Sequence, residues 1–202
     1  MNLRDEFGDI DIYLFDQLLK GRITPGMSVL DAGCGGGRNL IYFLRQNFQV
    51  FAVDSNPQAI QQVTQFAASL APRLSSNNFQ VADVEALPFP NEQFDLVISS
   101  AVLHFARDKH HFDRMLNEMW RVLKPGGMFF ARLASSIGIE ALIRPVGNGW
   151  FGLPDGSERF LVNEEMLAVA AKRLGAERLE ALKTTNVENL RCMTTWVLQK
   201  PV

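Results

Sequence analysis

The chain has 202 residues, of which 47% are hydrophobic, and its formal net charge is −2. This size and composition predict one compact domain with a substantial core, and the small charge argues against a nucleic-acid partner, since nucleic-acid-binding domains usually carry a basic face. Cys34 and Cys192 are too few for a disulfide framework or a zinc site, no metal is expected, and no apolar run reaches the roughly 18 residues that cross a bilayer.

The N-terminal segment covers residues 1–27. Its start, residues 1–6, mixes both charges and lacks the apolar core of a signal peptide, so we expect a cytoplasmic location and no membrane partner. Hydrophobic periodicity predicts a helix over residues 10–20. The aromatic side chains of Tyr13 and Phe15 lie in this helix, before the first long apolar run.

A strand, loop, helix, strand unit follows. Strands are predicted at 28–31 and 49–53 with a helix over 39–47, and the second strand ends in Asp54. The glycine-rich loop after the first strand lets the backbone approach a ligand, while an acid about 20 residues further on can accept hydrogen bonds from a ribose diol. The unit predicts a site for an adenosine-containing molecule.

The glycine spacing does not fit a dinucleotide. In the fingerprint G-x-G-x-x-G, the third glycine lets the helix pack close to the strand. In this chain that position is Arg38 or Leu40, depending on the register. A nicotinamide-dependent oxidoreductase, using NAD(P), is therefore a less favoured alternative.

Along the rest of the chain, apolar runs alternate with stretches of helical periodicity, which predicts a parallel sheet with helices on both faces. The predicted helices cover 57–71, 109–123 and 163–174, and the predicted strands cover 78–82, 94–98, 127–133, 177–185 and 192–198.

The segment 134–162 is loop-like, because it is rich in glycine and proline, yet it carries Trp150, Phe151 and Phe160. Two interpretations are equally favoured. The segment is either a lid or wall of a substrate site, or a surface excursion whose aromatic residues plug the core or form a dimer contact.

Asp31 followed by Gly33, Gly35 and Gly37 resembles motif I of the class I S-adenosylmethionine-dependent methyltransferases. Later segments resemble the same family in the same order: 81–84, 94–100, 102–105 and 121–130. The resemblance implies an α/β fold, namely a Rossmann-like seven-stranded, mostly parallel sheet with helices on both faces and an antiparallel C-terminal hairpin.

The same resemblance divides the single methyltransferase domain into parts. After the N-terminal helical segment, residues 28–133 would form the cofactor-binding core, 134–162 the lid or substrate segment, and 163–202 the C-terminal helix and edge strands.

The resemblance also implies S-adenosylmethionine as the cofactor. Gly33 and Gly35 would present backbone groups to its methionine part, and Asp31 would orient the loop or the ammonium group. Asp54 would hold the ribose, and Asp83 would accept a hydrogen bond from the adenine amino group. The full predicted set is Asp31, Gly33, Cys34, Gly35, Gly37, Asn39, Asp54, Ser55, Asp83, Val84 and Ser99.

For two further residues of the loop, Arg38 and Cys34, we favour structural roles. Arg38 lies near a helix start, where the dipole disfavours a cation, so we expect a salt bridge to a neighbouring acid. The alternative is that it flanks the carboxylate of the cofactor. Cys34 fills a position that the family often fills with cysteine, and its thiol is expected to be inert.

Methyl transfer needs little catalytic machinery, because the cofactor already carries an activated methyl group and the protein mainly aligns the nucleophile. His104 follows the fourth strand and is the predicted base if one exists, although a structural role within the turn is equally favoured. His110 and His111 are expected to face solvent.

The predicted acceptor pocket consists of Tyr13, Arg144, Trp150, Arg159 and Arg191, and its arginines would suit an anionic acceptor. The fourth strand does not end in the Asn/Asp-Pro-Pro-aromatic motif, so exocyclic amines of nucleobases and glutamine amides are disfavoured. A small-molecule acceptor is expected, with the methylated atom open.

The alternative of another class is a non-catalytic module that binds the cofactor. Both a monomer and a homodimer remain open.

Overall fold

The computed structural model describes residues 2–202, which fold into a three-layer arrangement of helices and sheet. This part of the chain contains six α-helices: α1 (Leu3–Phe7), α2 (Ile12–Leu19), α3 (Ile41–Arg45), α4 (Pro57–Leu70), α5 (Lys109–Val122) and α6 (Glu164–Arg173). The strands are β1 (Ser28–Ala32), β2 (Gln49–Asp54), β3 (Phe79–Val81), β4 (Phe94–Ser100), β5 (Leu123–Ser135), β6 (Arg144–Gly147), β7 (Trp150–Gly152), β8 (Glu158–Phe160), β9 (Glu177–Arg178), β10 (Lys183–Val187) and β11 (Arg191–Gln199).

The main sheet has the strand order β10-β11-β5-β4-β1-β2-β3, and the two-residue β9 pairs with β11. Strands β1 to β5 are parallel to one another, while β11 is antiparallel to both β5 and β10. The prediction of a mostly parallel α/β sheet with an antiparallel C-terminal hairpin is confirmed. The one predicted strand over 177–185 is instead divided into β9 and the start of β10.

Helix boundaries follow from local capping. Asn56 accepts a hydrogen bond from the backbone N–H of Gln58, and Pro57 occupies the first position of α4, where its missing N–H costs nothing. Asp108 caps α5 in the same way by accepting from the backbone N–H of His111 at 2.7 Å. Both helices begin where they were predicted, at residues 57 and 109.

Apolar side chains fill both faces of the sheet. On one face, Phe112 of α5 packs over Val97, and α6 covers the neighbouring area. On the other face, Leu14 of α2 and Phe43 of α3 pack over Ile98, together with α4. All five side chains are fully buried. This sandwich fixes the carboxyl ends of β1, β2, β3 and β4 along one edge.

The segment 134–162 is not an irregular loop: it forms a second, antiparallel sheet in the order β6-β7-β8. Its glycines are turn residues, since Asn148 and Gly149 both have positive φ and join β6 to β7 by a tight hairpin. Phe160 is 1% exposed and stacks on Phe112 at 5.6 Å. The aromatic residues of this small sheet therefore extend the core.

Among residues 2–202, no helix combines the length and the apolar character needed to cross a bilayer.

Candidate functional site

A cavity of about 530 Å³ opens at the carboxyl ends of β1, β2, β3 and β4, where open α/β sheets bind ligands. Eight of the predicted cofactor residues line it. Its lining consists of Gly33, Cys34, Gly35, Gly36, Arg38, Asn39, Asp54, Ser55, Ala82, Asp83, Val84, Ser100, Ala101, Val102, Phe105, His111 and Met115.

The glycine loop between β1 and α3 forms one wall. Gly33 has a φ of +83°, and a Cβ there would lie 2.5 Å from Cγ2 of Val102. Gly35 also has positive φ, but a Cβ there would meet nothing within 4 Å, so this position is open. A Cβ on Gly37 would lie 2.8 Å from Phe66 of α4, and Gly37 is absent from the lining. Gly37 thus serves helix packing, and the first two glycines shape the cavity.

Asp54 ends β2 and ties the glycine loop to the second wall. Its Oδ2 accepts from the backbone N–H of Gly35 at 2.8 Å, and its Oδ1 accepts from that of Asn56 at 2.9 Å. Each carboxylate oxygen can accept a second hydrogen bond. Asp54 can therefore bind hydroxyl donors in the cavity while it holds the loop.

Asp31 is a buried acid without a partner. It is 1% exposed, and neither carboxylate oxygen has a hydrogen-bond partner among the residues that the structure describes. Burial raises the pKa of this carboxyl to about 7, against the lowering effect of the Arg38 charge. Asp31 lies two residues before Gly33 and is not itself part of the cavity lining. Its ionised form needs a positive charge that residues 2–202 only partly supply.

Cys34 lines the cavity, and its backbone N–H donates to the carbonyl of Val53 at 3.0 Å. Burial, reinforced by Asp31 and Asp54, raises the pKa of its thiol far above neutrality. The thiol stays protonated and is a poor nucleophile.

Asp83 and Val84 follow β3 and line the far end of the cavity. One oxygen of Asp83 accepts from the backbone N–H of Glu85 at 3.0 Å, and the exposed carboxylate keeps its other oxygen for a ligand. Ser55 lines the adjacent wall.

The structure places Ser99 outside the cavity. Ser99 is fully buried, whereas its neighbour Ser100 lines the cavity, because successive strand residues point to opposite faces. The predicted Ser99 therefore lies one residue away from the serine that lines the cavity.

The N-terminal segment docks on the glycine loop through Asp11, which sequence reasoning missed. Asn39 is 3% exposed, and its Oδ1 accepts from the backbone N–H of Asp11 at 3.0 Å. The carboxylate of Asp11 forms ion pairs with Arg132 at 2.8 Å and with Arg38 at 3.4 Å. The expected salt bridge of Arg38 is thus present.

His104 does not line the cavity. Its Nδ1 accepts from the backbone N–H of Ala134 at 3.2 Å, and burial, assisted by the charge of Arg159, lowers its pKa to about 4. A neutral ring whose Nδ1 accepts carries its proton on Nε2, so neither nitrogen is available as a base. The geometry argues against the predicted catalytic role and favours the structural one.

His111 was expected to face solvent, and that expectation is wrong. It is 7% exposed and lines the cavity, and its Nδ1 accepts from the backbone N–H of Arg107. Together with Met115 and Met119, it follows the four-residue spacing of the buried face of α5, and this periodicity was the available signal.

Three side chains beside the cavity, those of Asp83, Glu85 and His111, bring possible metal-ligand atoms within 4.8 Å of one another. Glu85, however, already binds Arg114 at 2.8 Å and Arg107 at 3.0 Å. A cation would compete with two guanidinium groups, so this donor set does not fit a metal.

The five predicted acceptor residues all lie outside the cavity lining. Tyr13 bonds Thr185 through its hydroxyl at 2.8 Å, and Trp150 donates to the backbone carbonyl of Arg107. Arg159 lies over the ring of Phe105, a cavity residue, at 5.4 Å from its centroid. Arg144 and Arg191 are exposed on the second sheet and at the start of β11. Of the five, only Arg159 contacts a residue of the lining.

Comparison with known proteins adds family information to this geometry. A family model described as "Methyltransferase domain" matches residues 30–131. An uncharacterized methyltransferase, YodH of Bacillus subtilis, is 35% identical over 63% of this chain and 48% of its own length. The malonyl-[acyl-carrier protein] O-methyltransferase of Salmonella typhimurium is 35% identical over 55% of this chain and 39% of its own length. The chain therefore spans half or less of these curated relatives.

A solved structure shares the fold over nearly the whole chain. The S-adenosylmethionine-dependent methyltransferase of Methanosarcina mazei superposes with a TM-score of 0.74 at 21% identity, covering 92% of this chain and 97% of that one.

Proposed function

Because the family match extends over half of the chain, the protein belongs to the S-adenosylmethionine-dependent methyltransferase family, and from this premise we propose that it transfers a methyl group to a small-molecule acceptor. Asp31 is the observation that carries the proposal. A buried carboxylate without a partner, beside a glycine-lined cavity, suits a ligand that brings its own positive charge.

The residues present fit the proposed cofactor. Asp31 would attract its ammonium group, Asp54 would accept from the ribose hydroxyls, and Asp83 would accept from the adenine amino group. The open side of Gly35 leaves room for the ligand to approach the backbone. When bound, S-adenosylmethionine supplies an activated methyl group on a sulfonium.

The chain's own residues contribute positioning. Asp54 holds the glycine loop through the N–H of Gly35, and Asp11 holds its far end through Asn39. Neither His104, whose ring nitrogens are unavailable, nor Cys34, whose thiol stays protonated, offers a base. We propose that the acceptor is aligned for in-line attack and loses any proton to solvent or to a group that it brings.

A small acceptor agrees with the exposed surface at the cavity. Phe105 lines the cavity and is 55% exposed, which offers an apolar face next to the Arg159 guanidinium. The methylated atom stays open among oxygen, nitrogen and sulfur. The malonyl-[acyl-carrier protein] O-methyltransferase relative makes an oxygen acceptor a reasonable first choice for assay. We propose no nucleic-acid partner, and the protein acts as a monomer or homodimer.

A non-catalytic module that binds the cofactor is the second candidate, since His104, the predicted base, does not line the cavity and its Nδ1 already accepts from the backbone N–H of Ala134. It predicts tight binding of S-adenosylmethionine without any methylated product. The oxidoreductase alternative is opposed by the side chain of Arg38, which occupies a position that a dinucleotide site keeps as glycine.

Calorimetric titration with S-adenosylmethionine, S-adenosylhomocysteine and NAD tests the proposal. We expect the first two to bind and NAD not to bind, and Asp54→Ala to weaken S-adenosylhomocysteine by about 1–3 kcal/mol, because two hydrogen bonds to a charged acceptor are lost. Thermal unfolding of the variant separates lost affinity from lost structure. Binding of NAD alone would overturn the assignment.

A further inference from the structure

Arg159 of β8 holds a guanidinium beside the mouth of the cavity with most of its donors unused. Its guanidinium carbon lies 5.4 Å from the ring centroid of Phe105, which lines the cavity. Its only hydrogen bond to residues 2–202 runs from Nη1 to the carbonyl of Glu158, at 2.6 Å, and it forms no ion pair within that range. The Nε and Nη2 groups, which share one edge of the guanidinium plane, keep three N–H donors for a ligand.

The acid whose charge Arg159 influences is held by other groups. Hydrogen bonds from Ser157 lower the pKa of Asp155, and the charges of Arg191 and Arg159 assist. Oδ1 of Asp155 accepts from the hydroxyl of Ser157 at 2.6 Å and from its backbone N–H at 2.9 Å, while Oδ2 lies 3.9 Å from Arg191. The positive charge of Arg159 is therefore left without an acid in contact within residues 2–202.

The second sheet fixes the position of Arg159. The next residue, Phe160, is 1% exposed and stacks on Phe112 of α5. On the paired strand β7, Trp150 donates from Nε1 to the carbonyl of Arg107, just before α5, at 3.0 Å. A side chain carried by strands that are anchored in this way loses less freedom when it binds a ligand.

An apolar wall joins Arg159 to the glycine loop. Val102 lies against the loop, since a Cβ on Gly33 would be 2.5 Å from its Cγ2. Phe105 follows in the same turn, where its backbone N–H donates to the carbonyl of Val102 at 2.9 Å. Both side chains line the cavity, and Phe105 is 55% exposed. A ligand on this wall can meet the guanidinium at one end and the glycine loop at the other.

We infer that the methyl acceptor carries a carboxylate, which binds the Nε–Nη2 edge of Arg159, and an apolar body, which packs on Val102 and Phe105. This inference rests on the proposed function and names the substrate class of that site. A carboxylate is flat and accepts two parallel hydrogen bonds from one guanidinium edge. A cationic acceptor would be repelled, and an amide offers one acceptor oxygen in place of two.

Matched pairs of an acid and its amide test the inference on protein saturated with S-adenosylhomocysteine. The probes are benzoate with benzamide, phenylacetate with phenylacetamide, and cinnamate with cinnamamide, and ligand-detected NMR gives their dissociation constants. We expect the wild type to bind at least one acid about 10-fold more tightly than its amide, as for a charge-assisted, two-point contact. Arg159→Met should bind both members of that pair within about twofold of each other.

Arg178→Met is the matched control. Arg178 is also a strand arginine outside the cavity lining, is exposed, and forms no ion pair within residues 2–202. This variant should keep the preference of the wild type for the acid. Arg159→Lys keeps the charge without the planar edge, and we expect an intermediate preference. All three variants should bind S-adenosylhomocysteine within about twofold of the wild type, because neither arginine lines the cavity.

The outcomes separate the inference from the proposed function. Equal binding of acid and amide by the wild type in every pair overturns the inference, and so does a preference that persists in Arg159→Met or disappears in Arg178→Met. If the wild type does not bind S-adenosylhomocysteine, the proposed function itself fails and the inference with it. Should Arg159→Met unfold, full preference in Arg159→Lys overturns the inference and reduced preference supports it.

Discussion

Two cavities lie at opposite ends of β2, and the smaller one is the proposed cofactor site. The cavity at the carboxyl end measures about 530 Å³, while the one at the amino end of β2 and β3 measures about 850 Å³. The larger cavity is lined by Asn47, Phe48, Gln49, Phe51, Ala71, Pro72, Arg73, Leu74, Ser75 and Asn78. Volume alone would select the other end of the sheet.

The difference lies in which polar groups are satisfied. In the larger cavity, Asn78 donates to the carbonyl of Val50 at 3.0 Å, and Ser75 accepts from the N–H of Asn77 at 3.2 Å. Beside the smaller cavity, the buried Asp31 has no hydrogen-bond partner among residues 2–202, and in its lining Arg38 is hydrogen-bonded through Nη2 alone. Groups left incomplete by the fold are completed by a ligand, so they mark a binding site better than size does.

The largest effect is expected at the backbone of the smaller cavity. Gly33→Ala places a side chain at a φ of +83° and 2.5 Å from Val102, which should lower the free energy of unfolding by about 2–5 kcal/mol in denaturant titrations. Gly36→Ala is the control, since its Cβ would meet nothing closer than Gln62 at 3.7 Å. Adding Val102→Ala to Gly33→Ala should restore part of the loss, and equal stability of both glycine variants would refute the steric account.

Asp31→Asn should raise stability while it lowers affinity. The folded pKa of about 7 lies above the unfolded value of 3.8, so the folded state loses stability as pH rises from 4 to 7 and bears the full penalty above pH 7. A pKa shift of this size corresponds to about 4 kcal/mol of lost stability above pH 7, which the variant no longer bears. The unpartnered buried amide of the new asparagine costs about 1–3 kcal/mol in its place. We expect a net gain of about 1–3 kcal/mol at pH 8 and none at pH 4.

The same variant, Asp31→Asn, should lose affinity for the ligand although it gains stability. Wild-type affinity for S-adenosylhomocysteine should fall as pH drops below 7, because Asp31 must lose its proton to attract the ammonium group. The variant should bind more weakly at pH 8 and lose this pH dependence. A variant that is less stable at pH 8, or whose affinity matches the wild type, would remove Asp31 from the site.

The sequence predicted the parts of the cavity that are local. One strand, loop, helix, strand unit contains both the run from Asp31 to Asn39 and Asp54 at the end of its second strand. Its local pattern of apolar residues, glycines and an acid predicts how the unit folds. The resemblance to the methyltransferase family predicted Asp83 as a cofactor residue, and Asp83 lines the cavity.

Residues that depend on distant partners were missed. Asp11 meets Arg132 only after the sheet forms, and no local pattern joins the two. Ser99 and Ser100 differ by one position, and a shift of one residue reverses the face of a strand. The second sheet was readable in part, because Asn148-Gly149 is a strong signal for a two-residue hairpin turn.

The smallest effect on affinity for S-adenosylhomocysteine is expected from a substitution at the larger cavity. It tests the comparison of the two cavities most directly. Arg73 is the one charged residue of that lining, is exposed, and forms no ion pair within residues 2–202. Along β2, Phe51 of the larger cavity and Asp54 of the smaller one are three steps apart, which is roughly 10 Å at about 3.3 Å per residue. This exceeds the screening length of about 8 Å at physiological ionic strength. Arg73→Glu should therefore change the affinity for S-adenosylhomocysteine by less than about twofold in calorimetry at 0.15 M salt. A change of tenfold would mean that the larger cavity takes part in binding and that the contrast between satisfied and unsatisfied groups misidentifies the site.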